Sequence, residues 1–320
     1  MKASKMASAP DVQARYVKRN VRLARVKSQI PYWLMLLIPL TYFVLICYWP
    51  MFGLAAAFQD YRIGDPFLSV DSDWAGLKWF KYLFSRPTFP RMVRNTLTIT
   101  TLNLVIAFPI SIGVALILNE VRNKVVKKWA SNISLLPYFI STVCVVSIVS
   151  NMFSLDGLVN SIIKRLGGDP ILFMSSTKWF RPLYIGSGIW QNAGFNAVVF
   201  TAAIAGIDPT LYEAAALDGS SRWKNMIHIT IPCIMPTIIT MLILRLGSMM
   251  SLGAEKILLM YVPENYEVSD VLSTYLYRVG LEDNKLSLAT AVGLVNAVCN
   301  VVLVVASNRV SKKVSETSLW

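Results

Sequence analysis

The sequence predicts an all-α membrane protein with six transmembrane helices. Three observations lead there: a composition too apolar for a soluble domain, six apolar stretches of spanning length, and an excess of basic charge on alternate connections between them. Of 320 residues, 55% are hydrophobic and only 15% charged, and the mean hydropathy is +0.51. Soluble domains run at roughly 45–50% apolar and about 25% charged. A soluble fold this apolar would lack the polar surface that keeps it dissolved, so the excess is expected to face lipid.

A bilayer core of ~30 Å requires about 20 apolar residues in a helix. The stretches that qualify are 32–58, 95–118, 133–153, 183–207, 232–252 and 286–307. The third is short and carries Ser134, Ser141 and Ser147; the fourth carries Gln191, Asn192 and Asn196, which lower its apparent hydropathy. Flanking charges and turn residues punctuate both. Ala55-Ala56-Ala57 after a basic leader has the look of a cleavage site. The apolar run before it, however, is about twice the roughly 7–15 residues of a signal-peptide core. A retained first helix is expected.

Orientation follows from the basic residues. Residues 1–30 hold Lys2, Lys5, Arg15, Lys18, Arg19, Arg22, Arg25 and Lys27 against Asp11 alone. With that end cytoplasmic, the inner segments (1–30, 121–132, 208–231 and 309–320) carry nearly all of the net +13, and the outer ones come close to neutral. Basic residues accumulate on cytoplasmic loops, so both termini are placed inside. The basic tail beside a first span reads as a topogenic or lipid-surface anchor rather than a nucleic-acid binder. The outer loops 59–94, 154–182 and 253–285 are too short for independent domains; Pro66, Trp74, Trp79 and Trp179 suggest contact with the membrane interface. The chain therefore divides into a basic tail, 1–30, and a transmembrane domain, 31–320, in which 208–231 forms one cytoplasmic loop.

Several chemistries are excluded. Cys47, Cys144, Cys233 and Cys299 fall in or beside apolar runs with no CxxC or Cys/His cluster, so no metal site or disulfide framework is indicated. His228 is the sole histidine. Gly186-Ser187-Gly188 invites an intramembrane serine-protease reading, but a nucleophilic serine needs a base, and His228 lies about 40 residues away in the cytoplasmic loop. A secondary carrier would be expected to show intramembrane Asp or Glu relays, and Glu255, near the outer end of span five, is a poor basis for one.

The cytoplasmic loop is the most informative segment. In Asp208-Pro209-Thr210-Leu211-Tyr212-Glu213-Ala214-Ala215-Ala216-Leu217-Asp218-Gly219, Asp208 can cap a helix whose first position is Pro209, where the missing N–H costs nothing. Leu217 ends it and Gly219 supplies the exit. The result is a short helix between spans four and five, its alanines leaving a slim surface that another protein can approach.

With its continuation to Ile229-Thr230-Ile231-Pro232, this segment resembles the EAA signature (Glu-Ala-Ala, three residues, Gly, nine residues, Ile-x-Leu-Pro) of binding-protein-dependent ABC importer permeases. Glu213, Ala214, Ala215, Gly219, Ile229 and Pro232 match in register, and Ile231 stands for Leu. Pro31-Tyr32-Trp33-Leu34-Met35, Tyr48-Trp49-Pro50-Met51, Arg94-Asn95-Thr96-Leu97, Leu118-Asn119-Glu120-Val121-Arg122-Asn123, Trp179-Phe180-Arg181-Pro182 and Ala289-Thr290-Ala291-Val292-Gly293-Leu294 look like the lipooligosaccharide branch of carbohydrate permeases, similar to the maltose-transporter type of membrane subunit. The likeness covers nearly all of the chain after residue 30. One departure is Ala254, where the family usually has an aromatic residue; substrate details are therefore not carried over.

The resemblance implies the type I ABC importer permease fold and an uptake machine with two membrane subunits, the second a different permease, and two ATPase subunits. A lipid-anchored or periplasmic binding protein would deliver an oligosaccharide from outside. ATPase coupling would fall to Asp208, Glu213, Ala214, Ala215, Asp218 and Gly219. The chain has no GxxxxGK[ST] loop, so no cofactor is expected on it, and ATP and Mg²⁺ would sit on the partner ATPase. The setting is the bacterial inner membrane.

Polar side chains within spans normally face the bundle interior or an aqueous path. Asn192 and Asn196 share a helix face, with Gln191 and Phe195 on the adjoining stripe. Amides plus a flat ring suit a sugar, although helix–helix hydrogen bonding is the competing role. Arg245, followed by Ser248, Met249 and Glu255, is the other candidate. An arginine near mid-span costs roughly 2.5–3.5 kcal/mol on insertion scales, so it requires a partner. It either binds a carboxylate of an acidic oligosaccharide or acts as a strut to Glu255 or to the partner permease. Asn103, Asn151, Asn296 and Asn300 read as inter-helix hydrogen-bonding groups.

Overall fold

The computed structural model describes residues 29–62, 64 and 73–315. The basic tail of residues 1–28, Pro66 and residues 316–320 lie outside the described residues. Among the described residues there is no β-strand, only an isolated bridge between Gln59 and Trp74.

The chain divides into two units. The first includes residues 29–55, most of helix α1 (Gln29–Phe58). Its side chains, Tyr32, Trp33, Ile38 and Phe43 among them, are exposed, as expected of a helix bathed in acyl chains. The helix is not uniform: a π turn at Phe43–Tyr48 passes into a 3₁₀ stretch at Trp49–Phe58. Pro50 has no N–H to continue the ladder, which breaks the α pattern there.

The second unit begins at Ala56. After the short α2 (Lys78–Phe84) comes α3 (Thr88–Glu120), a span longer than the 95–118 expected. A π turn at Asn103–Ala107 precedes its Pro109. The third expected span is corrected. Residues 133–153 are not one helix but the end of α4 (Lys124–Phe139) and all of α5 (Thr142–Met152), which meet at 96°. Pro137 interrupts the hydrogen-bond ladder, and the last turn of α4 tightens to 3₁₀. Ile140 is then extended, and Ser141 caps α5 by accepting from the Cys144 N–H. That serine is thus a helix start rather than a polar residue within a span.

Helix α6 (Leu158–Arg165) lies in the following loop, and α7 (Thr177–Ala205) is the fourth span, starting earlier than expected. It bends by 70° into α8 (Pro209–Leu217). Helix α9 (Arg222–Gly247) is the fifth span; it ends at Gly247 rather than 252, and a linker leads to α10 (Ala254–Met260). After α11 (Leu272–Tyr277), the chain closes with α12 (Leu286–Ser315). Among the described residues four unbroken helices are long and apolar enough to cross a membrane, and counting each bent pair as one span brings the number up to six.

Three apolar clusters hold the main body. Ala115, Leu116, Ala197, Phe200, Ile204 and Ile234 join α3, α7 and α9. Ile99, Val146, Phe180, Tyr184 and Ile257 join α3, α5, α7 and α10. Leu83, Met92, Leu272, Leu288 and Val292 join α2, α3, α11 and α12. Small residues set the close approaches: a Cβ on Gly194 would collide with the Ser134 backbone of α4, and one on Gly247 with Val304 of α12.

The outer connections fold onto the helices through a buried polar network. Asn95 donates to the carbonyls of Glu267 (2.9 Å) and Asp270 (3.0 Å) and accepts from Arg181 (3.0 Å). Asp270 in turn pairs with Arg278 at 3.1 Å. Burial works against the charge on Arg278, but the Asp270 carboxylate and the Tyr261 hydroxyl together outweigh it and move the guanidinium pKa upward. Of the tryptophans read as interface residues, Trp79 donates to the Gln59 carbonyl (3.0 Å) and Trp179 packs edge-on against Phe173 (5.0 Å), while Trp74 is exposed.

Candidate functional site

Two places are candidates for function: a cavity among α3, α7, α9 and α10, and the helix α8 on the loop between spans four and five.

The cavity has a volume of about 340 Å³, within the size range of small-molecule sites. Thr100, Asn103 and Ser111 line it from α3; Tyr184, Gly188, Asn192 and Asn196 line it from α7. Arg245 enters from α9, Ser248, Met249 and Ser251 from the linker, and Lys256 from α10. The lining thus mixes amides, hydroxyls and two cations. No carboxylate is among the described residues that form it.

Five of the expected path residues line this cavity: Asn192, Asn196, Arg245, Ser248 and Met249. Arg245 donates to the Asn196 Oδ1 at 2.7 Å, linking α7 and α9. That bond corrects the expectation of a Glu255 strut, since the guanidinium is tied to an amide and Glu255 is exposed on α10. Asn192, also in the lining, donates to the Gly188 carbonyl of its own helix (2.9 Å).

Three expected path residues lie elsewhere. Gln191 is buried and donates to the Ile140 carbonyl at 3.0 Å, satisfying a group freed by the break between α4 and α5. Phe195 stacks face to face on Tyr138, with ring centroids 3.8 Å apart and planes 3° from parallel. Each sits about 100° around the helix from the Asn192/Asn196 face, and that rotation aims them at α4. Glu255 does not line the cavity; the next residue, Lys256, does.

Lys256 is the functional candidate that sequence reasoning missed. Its Nζ donates to the Tyr184 carbonyl (3.0 Å) and sits 4.8 Å from the centroid of the same residue's ring. Burial lowers its pKa to about 8. The available signal was a second ionisable residue in the first turn after the linker. Asn103, read as an inter-helix group, also faces the cavity, whereas Asn300 does bind across helices, holding the linker through Met250 N–H (2.9 Å) and Ser251 (2.7 Å).

In the cytoplasmic segment, Asp208 accepts from the Thr210 N–H at 2.9 Å and caps α8, with Pro209 at its first position. The same N–H draws the Asp208 carboxyl pKa below its ordinary value. After Leu217 the chain leaves through Gly219 at φ +70°, where the Ser220 N–H reaches back to the Ala215 carbonyl (2.9 Å). Only a residue without a Cβ takes this left-handed turn freely. Glu213, Ala214, Asp218 and Gly219 are exposed and Ala215 is half-buried, while Leu217 and Trp223 add exposed apolar surface. Two contacts fix the segment to the spans: the Tyr212 hydroxyl with the Thr230 hydroxyl (2.9 Å), and Arg222 with Glu120 at the end of α3 (3.5 Å).

The protease-like Ser187 donates to the Leu183 and Tyr184 carbonyls of its own helix. His228 contacts the Lys224 carbonyl in the cytoplasmic segment (3.1 Å). The sole histidine is thus engaged elsewhere.

The chain belongs to the family of binding-protein-dependent transport system inner membrane components, which it matches over residues 107–316. It is 42% identical to the polygalacturonan/rhamnogalacturonan transport system permease protein YteP of Bacillus subtilis (strain 168), over 98% of each chain. Among solved structures it is similar to a subunit of a bacterial ABC transporter involved in the import of the acidic polysaccharide alginate, with TM-score 0.84 and 40% identity over 92% of this chain and 99% of that one. A second structure of that transporter, in complex with an alginate pentasaccharide-bound periplasmic protein, matches equally. The chain is therefore a multi-pass inner-membrane permease subunit of an ABC importer of the carbohydrate-uptake class. It is a transport subunit and not itself an enzyme, and the secondary-carrier reading gives way.

Proposed function

We propose that this permease imports acidic oligosaccharides, and that the cavity between α7 and α9 is part of their path. The observation that carries this reading is the cavity's charge: among the described residues Arg245 and Lys256 line it and no carboxylate does. An anionic sugar gains charge-assisted hydrogen bonds from such a wall, whereas a neutral sugar leaves two cations uncompensated. Asn192, Asn196, Asn103 and Ser248 supply hydroxyl partners along it. The likeness to permeases named for polygalacturonan and for alginate supports the same class.

In this reading the importer consists of this chain, a second, different permease, two ATPase subunits and an external binding protein that delivers the oligosaccharide. ATP and Mg²⁺ sit on the ATPases. Both termini are cytoplasmic, which puts α8 on the ATPase side, where Asp208, Glu213, Ala214, Ala215, Asp218 and Gly219 form the coupling surface. ATPase closure pushes on α8, and Tyr212–Thr230 and Arg222–Glu120 pass that motion into α9 and α3. The cavity then opens alternately to the two sides.

A second reading of Arg245 rests on its 2.7 Å bond to Asn196: a strut joining α7 to α9. The two separate in one variant, Arg245→Met. Loss of uptake with intact assembly supports substrate contact, and loss of assembly supports the strut.

The experiment for the function as a whole is native mass spectrometry of the complex recovered through a tag on this chain, followed by uptake assays. Recovery of one different permease with two ATPase copies, and uptake of an oligogalacturonate in preference to its methyl ester, is the expected result. Recovery of this chain alone, or preference for the neutral ester, overturns it.

A further inference from the structure

We propose that Lys256 is a specificity-determining residue of the import path, reading the carboxylate of the sugar alongside Arg245, and that Gly188 is the seat built for it. The inference rests on the acidic-oligosaccharide reading above and goes beyond it by assigning the discrimination to a residue pair.

The geometry is that of a positioned cation. The ammonium donates to the Tyr184 carbonyl (3.0 Å) and lies against the face of the Tyr184 ring, 4.8 Å from its centroid. A Cβ on Gly188, one turn further along α7, would stand 3.3 Å from the same nitrogen. The glycine therefore leaves the gap into which the ammonium fits. Gly186-Ser187-Gly188 has no catalytic role here, and its second glycine gains a steric one.

An ammonium carries three donors. One is committed to Tyr184, and among the described residues no carboxylate lies within salt-bridge distance of this nitrogen. Holding a cation half out of water without a counter-ion is costly, and an aliphatic side chain would link α10 to α7 more cheaply. The charge is thus explained by something that arrives. Arg245 approaches the same cavity from α9, across the Ser248–Gly253 linker, so an acidic saccharide meets one cation from each of two helices. Arg245 holds Asn196 and Lys256 holds a backbone carbonyl, neutral partners from which a carboxylate can recruit both. Glu255 is exposed and outside the lining, so it does not compete.

A purely structural lysine would act as a strap from α10 to α7. The variants Lys256→Gln and Lys256→Arg separate the two roles: glutamine keeps an N–H donor and loses the charge, and arginine keeps both. The assembled transporter, with its partner permease, ATPases and binding protein, is reconstituted in proteoliposomes. Uptake of labelled trigalacturonate is measured against its fully methyl-esterified form, which has the same sugar skeleton without the charge. Because the binding protein is the same throughout, a change in the acid-to-ester ratio belongs to the permease.

Lys256→Gln is expected to lower the acid-to-ester ratio by about tenfold, the size of effect that losing one charge-assisted contact produces. Lys256→Arg should restore most of it. Gly188→Ala, which crowds the flexible ammonium by only a few tenths of an ångström, should lower the ratio less, and Lys256→Met, which keeps most of the chain length and loses the charge, supplies the test if the glutamine variant does not assemble. An unchanged ratio in Lys256→Gln, or in Lys256→Met where that variant stands in, overturns the role of Lys256 while leaving the acidic-sugar reading standing. A wild-type transporter that takes up the ester and not the acid overturns both.

Discussion

The cytoplasmic helix α8 and the cavity differ in how they are held. Helix α8 is shaped by its own neighbours in sequence: Asp208 caps it, Pro209 starts it, and Gly219 turns the chain out at φ +70°. The cavity is assembled from residues spread between Thr100 and Lys256 on four helices and a linker. Its side-chain contacts are single hydrogen bonds between elements, such as Arg245 to Asn196 and Lys256 to Tyr184. The difference matches the roles proposed for each. A part that receives a push must be stiff in itself, while a part that opens to two sides must be made of contacts that can be exchanged. Discrete rearrangements of packed elements are how such bistable parts move.

The largest expected effect breaks the stiff part. Gly219→Val places a β-branched residue at φ +70°, a conformation such residues almost never adopt. The exit of α8 must then unwind, and uptake should be abolished while the chain remains in the membrane at its usual level. Membrane-fraction blots and transport measured together decide it. Normal uptake in this variant would remove α8 from the coupling path.

This contrast also explains what could be read from the sequence. The cap, the proline start and the glycine exit of α8 are local signals, so its bounds followed from residues 208–219 alone. The cavity needed rotation about helix axes. Asn192 and Asn196 share a helix face and both line the cavity, but which of two adjoining stripes faces the interior depends on where α4 lies. Gln191 and Phe195 turned out to serve the 96° break at Ile140, a break whose sharpness Pro137 alone did not disclose. Lys256 escaped notice because α9 ends at Gly247, and the linker rotates the following residues so that the lysine, not Glu255, points inward.

Next in size is the exchangeable part. Arg245→Met removes the cation and leaves the Asn196 oxygen without its 2.7 Å donor. Uptake of an acidic oligosaccharide should fall by about tenfold or more, with the complex still recovered intact, since bonds to charged groups are worth roughly 1.5–3 kcal/mol. Failure of the complex to assemble would instead make the α7–α9 bond structural, and the cavity would then resemble α8 more than it does now.

A smaller effect tests whether stiffness extends past α8 itself. Tyr212→Phe removes the hydroxyl that meets Thr230 at 2.9 Å where α9 enters the membrane. A hydrogen bond of this kind contributes about 1 kcal/mol net, so uptake per ATP hydrolysed should drop by about twofold to fivefold, with binding-protein-stimulated ATPase activity less affected. Combined with Thr230→Val, the loss should not deepen, because both changes delete the same bond. Additive losses would mean that the two residues act separately.

The smallest expected effect is a pH limb peculiar to the cavity. Burial has already lowered the Lys256 pKa to about 8, from an ordinary value near 10. The charged form is therefore lost as pH rises through 8. Facing the ammonium are the Tyr184 ring beneath it and Arg245 from α9, while Glu255 is exposed outside the lining. At low substrate concentration, where the rate reports the free transporter, uptake of an acidic oligosaccharide should decline by about twofold to fourfold between pH 7 and 9. A bound carboxylate favours the charged ammonium, so the limb should move to higher pH at saturation. Lys256→Arg should flatten it, because a guanidinium stays protonated throughout. The methyl ester, which has no carboxylate to lose, should show no such limb in the wild-type transporter. An identical decline for acid and ester would trace the effect to the ATPases or the binding protein, and the cavity would have no titrating contact of its own.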